Sequence, residues 1–185
     1  MLMLSISFSY AQKAKLASAD RKYDQYAYID AIEIYKKVAE KGYKSADLFK
    51  KIGNSYYFNS ELKEANKWYS ELFSLGEEIE SEYYFRYAHT LKAVGDYKKA
   101  DEYFEKGLGI LTLDMPYSKD FLVSYIYNCI AGNMIEKVFY IEDILKNNFS
   151  DSADLNFAYG IFCMELANMN PQKYMDYIMK IESSY

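Results

Sequence analysis

LKEANKWYSEL (Leu62–Leu72) has two counterparts in the same chain, YIDAIEIYKKV (Tyr28–Val38) and YKKADEYFEKG (Tyr97–Gly107). Each sets a large side chain three residues before an alanine and an aromatic four residues after it. The alanines, Ala31, Ala65 and Ala100, are 34 and 35 residues apart. Upstream of the second stand Phe49, Ile52, Gly53 and Tyr56, and upstream of the third Tyr84, Tyr87, Ala88 and Leu91. Large, large, small, large at intervals of three, one and three puts all four on one helix face. The chain repeats a two-helix unit with a period near 34 residues.

Two antiparallel helices come close only where a small side chain stands at their crossing. Gly53 with Ala65, and Ala88 with Ala100, are expected to supply it, with Tyr56, Tyr69, Leu91 and Phe104 filling the space around. Gly95-Asp96 is the expected turn, Gly allowing a positive φ and Asp capping the next helix. The first unit departs from the pattern: Ala19 replaces the glycine and Tyr23 falls one place late. This pattern resembles the tetratricopeptide repeat (TPR). The resemblance implies an all-α solenoid of helical hairpins.

After Gly107 the pattern fades. GILTLDMPYS, with Pro116, reads as a connector. FLVSYIYNCIAG and MIEKVFYIEDIL each carry helical periodicity, broken by Gly132-Asn133. DSADLNFAYGIFCMELA and PQKYMDYIMKI form a further pair, with Asp151 or Ser152 as N-cap and Pro171 at a helix start. About five antiparallel helix pairs are expected, three recognisable and two degenerate. The expected organisation is a signal-peptide remnant over 1–11, three repeats over 12–111, and degenerate hairpins continuing the stack over 112–185.

Composition narrows the function. Two prolines and eight glycines in 185 residues favour long helices, and 22 tyrosines suit surfaces half in a core and half in water. Residues 1–111 hold 17 basic and 17 acidic side chains; residues 112–185 hold 5 and 10, the source of the net −5. That balance argues against nucleic acid, which requires a concentrated basic face. Cys129 and Cys163 fit no metal or redox spacing and read as small buried side chains. No phosphate loop, zinc signature, calcium loop or nucleophile elbow occurs. No cofactor, metal, catalytic residue or small-molecule substrate is expected, and the chain reads as a non-enzyme.

MLMLSISFSYAQ, at the start, reads as the apolar run and cleavage end of a secretory signal, with Ser9 and Ala11 before the cut. Residues 13–106, through ADRKYDQYAYIDAIEIYKKVAEKGYKSADLFKKIGNSYYFNSELKEANKWYSELF, resemble the N-terminal repeat region of Bacteroidetes OmpA-family outer-membrane proteins. That family includes the peptidoglycan-binding component of type IX secretion. There the repeats precede a β-propeller and an OmpA-like domain, neither of which fits here, so cell-wall binding does not carry over. The resemblance implies an exported, periplasm-facing adaptor associated with outer-membrane or cell-wall proteins.

In such a stack the first helix of each pair lines the concave face. The residues off the packing stripe there are Lys50, Asn54, Tyr57, Phe85, Arg86, His89 and Lys92, an aromatic, mildly basic groove for a protein or peptide partner with acidic ends. Lys50 and Asn54 stand where chaperone-binding repeat proteins hold a C-terminal carboxylate, but His89 replaces the Asn that set needs. His89, the only histidine, is expected either to titrate near neutrality within the groove or to be an ordinary exposed residue. A structural subunit packing laterally in an envelope complex, its groove empty, is the alternative.

Overall fold

The computed structural model describes residues 2–149, with side chains from Gln12 onward except Ile135. Beyond them it describes Phe157, Gly160, Ile161, Cys163, Met164, Ala167, Asn168, Pro171, Gln172, Met175, Asp176 and Met179. The described residues form eight helices up to residue 149, with no strand, and those beyond it are helical. The expected caps Asp151 and Ser152, and most of the fifth pair, lie outside them. The chain divides into two compact units, 1–96 and 97–185.

Unit 1 contains α1 (Leu2–Asp24), α2 (Tyr28–Ala39), α3 (Ala46–Phe58), α4 (Leu62–Ser74) and α5 (Ser81–Ala93). Neighbours in this order pack on each other, and α3 also meets α5. Unit 2 begins with α6 (Tyr97–Leu108), followed by α7 (Ser118–Ala131) and α8 (Ile135–Phe149). Here α7 packs on both α6 and α8. No described helix is long and apolar enough to cross a membrane.

One turn recurs with the period of the sequence. After α1, α3, α5 and α7 a single residue takes a positive φ: Tyr26 at 61°, Ser60 at 62°, Gly95 at 85° and Asn133 at 58°. Each time the following amide bonds back over five residues, as Glu61 N–H does to Tyr56 C=O at 2.9 Å and Asp96 N–H to Leu91 C=O at 3.0 Å. The positive-φ amide closes the inner bond, Ser60 to Tyr57 C=O at 3.0 Å and Gly95 to Lys92 C=O at 3.0 Å. This is the Schellman ending, which satisfies the carbonyls a helix C-terminus orphans. Only Gly95 fills the left-handed position with the residue that suits it. In the fourth turn the left-handed residue is Asn133, while Gly132 keeps a negative φ of −86°.

The turn residues supply a common ruler. Seven residues before them stand Ala19, Gly53, Ala88 and Ile126; five after, Ala31, Ala65, Ala100 and Val138. All eight are buried. The expectation for Gly53 needs one correction. A Cβ on Gly53 would lie 2.5 and 2.7 Å from two ring carbons of Tyr69, so the glycine makes room for that ring rather than for Ala65. Tyr69, Phe104 and Tyr56 are buried as expected, with Leu91. Each large side chain so buried contributes roughly 1.5–3 kcal/mol of transfer free energy.

Candidate functional site

In unit 1 the seven predicted groove residues come together on α3 and α5, but not as a row of unengaged side chains. The spacing of Lys50, Asn54 and Tyr57 aligns them along one stripe of α3, and Asn54 sinks to 5 % exposure. Its Oδ1 accepts from Tyr69 Oη at 2.8 Å and from Arg86 Nη1 at 2.7 Å, and its Nδ2 donates to Tyr23 Oη at 3.1 Å. One amide thus ties α1, α3, α4 and α5 together. Asn54 is a buried joint, not a partner contact, and the carboxylate-holding role it would share with Lys50 falls with that correction. A buried amide this well paired would have to give up partners to reach a ligand.

The joint is a repeat of one below it. Asp20 and Asn54 each stand six residues before their turn, Tyr35 and Tyr69 nine after it. Asp20 Oδ1 accepts from Tyr35 Oη at 2.6 Å and from Lys51 Nζ at 2.8 Å. In both joints the acceptor takes a tyrosine hydroxyl from its own hairpin and a cation from the next first helix. Burial, with Asp20 adding to it, pushes the Tyr35 hydroxyl far above its ordinary range, so it stays a donor. Tyr23, one place late for the stripe of its repeat, completes the upper joint.

Around Arg86 the site is aromatic. Its guanidinium carbon lies 4.8 Å from the Phe58 ring centre, 5.5 Å from Tyr83 and 5.9 Å from Tyr57. Its second nitrogen pairs with Glu82. Lys50 Nζ sits 4.7 Å from the same Tyr83 ring and 2.6 Å from Glu80. Cation–ring contacts contribute about 0.5–2 kcal/mol each, most where water is thinnest. Both cations are largely covered, side chains 17 % and 13 % exposed, while Glu80 and Glu82 are 65 % and 38 % exposed. Burial would raise the Glu80 carboxyl, but the hydrogen bond from Lys50, a backbone hydrogen bond and the Lys50 charge together outweigh it and hold the group below its ordinary range. The two counter-charges come from the start of α5, Glu80 at its N-cap and Glu82 in its first turn.

His89 is half-buried. Tyr57 Oη lies 2.9 Å from its Nδ1, and the Phe85 ring stacks on it with centres 6.2 Å apart. Burial pushes its imidazole down to about 4, with the Lys92 charge adding to the effect. His89 is therefore neutral at physiological pH, which corrects both expectations: it does not titrate near neutrality, and it is not an ordinary exposed residue. Burial also lowers the half-buried Lys92 ammonium. No group of three His, Cys, Asp or Glu among the described residues could hold a metal. In unit 2 Cys129 is fully buried, its thiol pushed up to about 12 by that burial; Cys163 is half-buried.

Sequence reasoning passed over a second feature of unit 1. Between α2 and α4 lies a cleft of about 370 Å³ lined by Ala39, Phe49 and Trp68 with a charged rim. The signal was present: the one tryptophan of the chain stands three residues after the anchor Ala65.

The chain is similar in structure to YrrB, described as a TPR protein with an unusual peptide-binding site. The TM-score is 0.71 at 15 % identity, over 92 % of this chain and 86 % of that one. It is similar to MamA at 0.65 and 13 %, over 90 % and 97 %. It is also similar to a putative kinesin light chain with TPR-like repeats from Podosopora anserina at 0.59 and 14 %, over 92 % of each chain. No family model and no curated protein matches the sequence. The fold is that of tetratricopeptide repeats: all-α, built of helical hairpins.

Proposed function

We propose that the protein is a non-catalytic adaptor that captures an acidic segment of a protein partner on the α3–α5 face of unit 1. One observation carries this reading: two covered cations, Lys50 and Arg86, flank the Tyr83 ring and are countered only by more exposed carboxylates. Tyr57, Phe85, His89 and Lys92 would frame the segment; Asn54 would hold the face in shape from beneath. Neutral His89 would make capture insensitive to pH near neutrality. The resemblance to OmpA-family repeat regions supports a periplasmic setting among outer-membrane proteins, with export and a mature start at Gln12. The terminal residue of the mature protein tests that part.

A displayed library of random twelve-residue peptides tests the face. Binders to the wild-type chain are expected to be enriched in Asp and Glu, and Lys50→Glu, folded by circular dichroism, should weaken them about tenfold or more, in line with loss of a desolvated charge contact. Binders without acidic enrichment, or indifferent to Lys50→Glu, would refute it. The second reading, a lateral structural subunit, is favoured by Glu80 and Glu82 already neutralising the two cations. It predicts that no peptide is selected at this face.

A further inference from the structure

Beyond the α3–α5 face, the second helices of unit 1 carry a surface of their own. The Trp68 cleft continues into another of about 520 Å³, lined by Ile29, Ile32 and Tyr56 among others; the two share Lys36 and Glu40. Together they form a trough along α2, roughly 15 Å long at 1.5 Å rise per helical residue. Its apolar floor comes from α2, α3 and α4.

The rim is charged in a graded way. Toward the helix starts stand Glu61 and Glu64, while at mid-length Glu33 and Lys67 hold equivalent places on α2 and α4 and offset each other. Toward the helix ends the lysines Lys36, Lys37 and Lys44 outnumber Glu40 and Glu71. Since α2 and α4 each run antiparallel to α3, they run the same way, and their dipoles add. A partner of one charge sign would match one end of this trough and be repelled by the other. A copy of the same trough, turned by a two-fold axis near Lys36 and Glu40, matches both ends. It also opposes its own helix dipoles to those it meets. Such self-complementarity is what a symmetric dimer interface requires.

We propose that this trough is a self-association surface, seating the α2–α4 face of a second copy of the chain around Trp68. Sedimentation of the full chain over a concentration series, with Trp68 emission followed on dilution, tests it. A monomer–dimer equilibrium with a concentration-dependent Trp68 signal is expected. Reversing one end with Glu61→Lys/Glu64→Lys, or the other with Lys37→Glu/Lys44→Glu, should each weaken dimerisation about tenfold or more through like-charge contact. An equimolar mixture of the two variants should restore it, because a basic-ended trough then meets an acidic-ended one. Circular dichroism checks folding, and the single changes Glu61→Lys and Lys44→Glu replace any pair that does not fold.

A chain that stays monomeric throughout overturns the proposal. So does a dimer that both reversals leave intact, a mixture no better than its components, or a monomer whose Trp68 signal answers only to an added mixed-charge amphipathic helix. None of these changes touches Lys50, Arg86 or their carboxylates, so peptide capture at the α3–α5 face would stand or fall separately.

Discussion

In the α3–α4 hairpin the three residues at fixed distances from the turn are Gly53, Ala65 and Tyr69; in the α7–α8 hairpin they are Ile126, Val138 and Glu142. All six are buried. The first hairpin combines two small side chains with one large ring, which lies against Gly53 where a Cβ would stand. The second uses two middle-sized branched side chains and, in place of the ring, a glutamate whose carboxylate lies 2.5 Å from Lys146 Nζ, one turn on. A crossing fixes the volume to be filled more tightly than which residue fills it. The small–small–aromatic signature is thus one solution among several, and a repeat can keep its geometry after losing its motif.

The largest loss is expected from Tyr69→Ala. It opens a cavity and strips Asn54 of a donor, so a loss of about 4 kcal/mol is expected for unit 1, read by urea unfolding with Trp68 as probe. Gly53→Ile, which imports the residue of the other hairpin, should lose about 3 kcal/mol because its side chain meets the Tyr69 ring. Combined, the two should cost at least about 1 kcal/mol less than their sum, since the ring that clashes is gone. Strict additivity would show that Gly53 and Tyr69 do not compete for one space.

Tyr69→Phe sharpens the polar half of the contrast. Phe104 occupies this place in the third repeat, where the acceptor position holds His89 rather than Asp or Asn. The variant keeps the packing and removes one donor to Asn54, so a loss of about 1–2 kcal/mol is expected.

His89 gives a pH test, because the equivalent residue on α7 is Tyr127. Its folded value lies near 4 against an ordinary 6.5, so between these the unfolded chain takes up a proton that the folded one refuses. This contribution is complete above pH 6.5 and falls away as the pH drops toward 4. Urea midpoints of His89→Leu should decline less than wild type between pH 7 and 5. Equal decline would place the pH dependence elsewhere.

The smallest effects lie in the turns. Ser60→Gly relieves a left-handed residue and should stabilise unit 1 by about 0.5–1 kcal/mol. Asn133→Gly should yield less, since Asn tolerates that conformation better. Thermal unfolding of the two variants ranks them.

Much of the fold could be read before any coordinates. The anchors Ala31, Ala65 and Ala100 and the stripes above them lie in helices, all buried but the half-buried Tyr84, and the break at Gly132-Asn133 is where α7 ends. The site was less legible. Lys50, Tyr57, Arg86 and His89 were assigned to a shared face, and they meet there, but Asn54 was read as outward when it is the innermost of the set. The matching signal was available: tyrosine nine after the turn wherever Asp or Asn stands six before it, phenylalanine where histidine does. It is visible only once the turn, and not the alanine, is the ruler.

The hairpins, their period and the side of each helix that faces inward are written into the spacing of side chains along the chain. Those follow from local spacing: 3.6 residues per turn assigns a residue to a face whatever lies beyond it. How deep each face is covered is a matter of packing between helices. Whether Asn54 is a joint or a contact, whether Lys50 and Arg86 carry their own counter-charges, and where Trp68 borders a trough all depend on the neighbouring helix. That helix is some thirty residues away in the chain, and its distance and tilt are set by the side chains packed between.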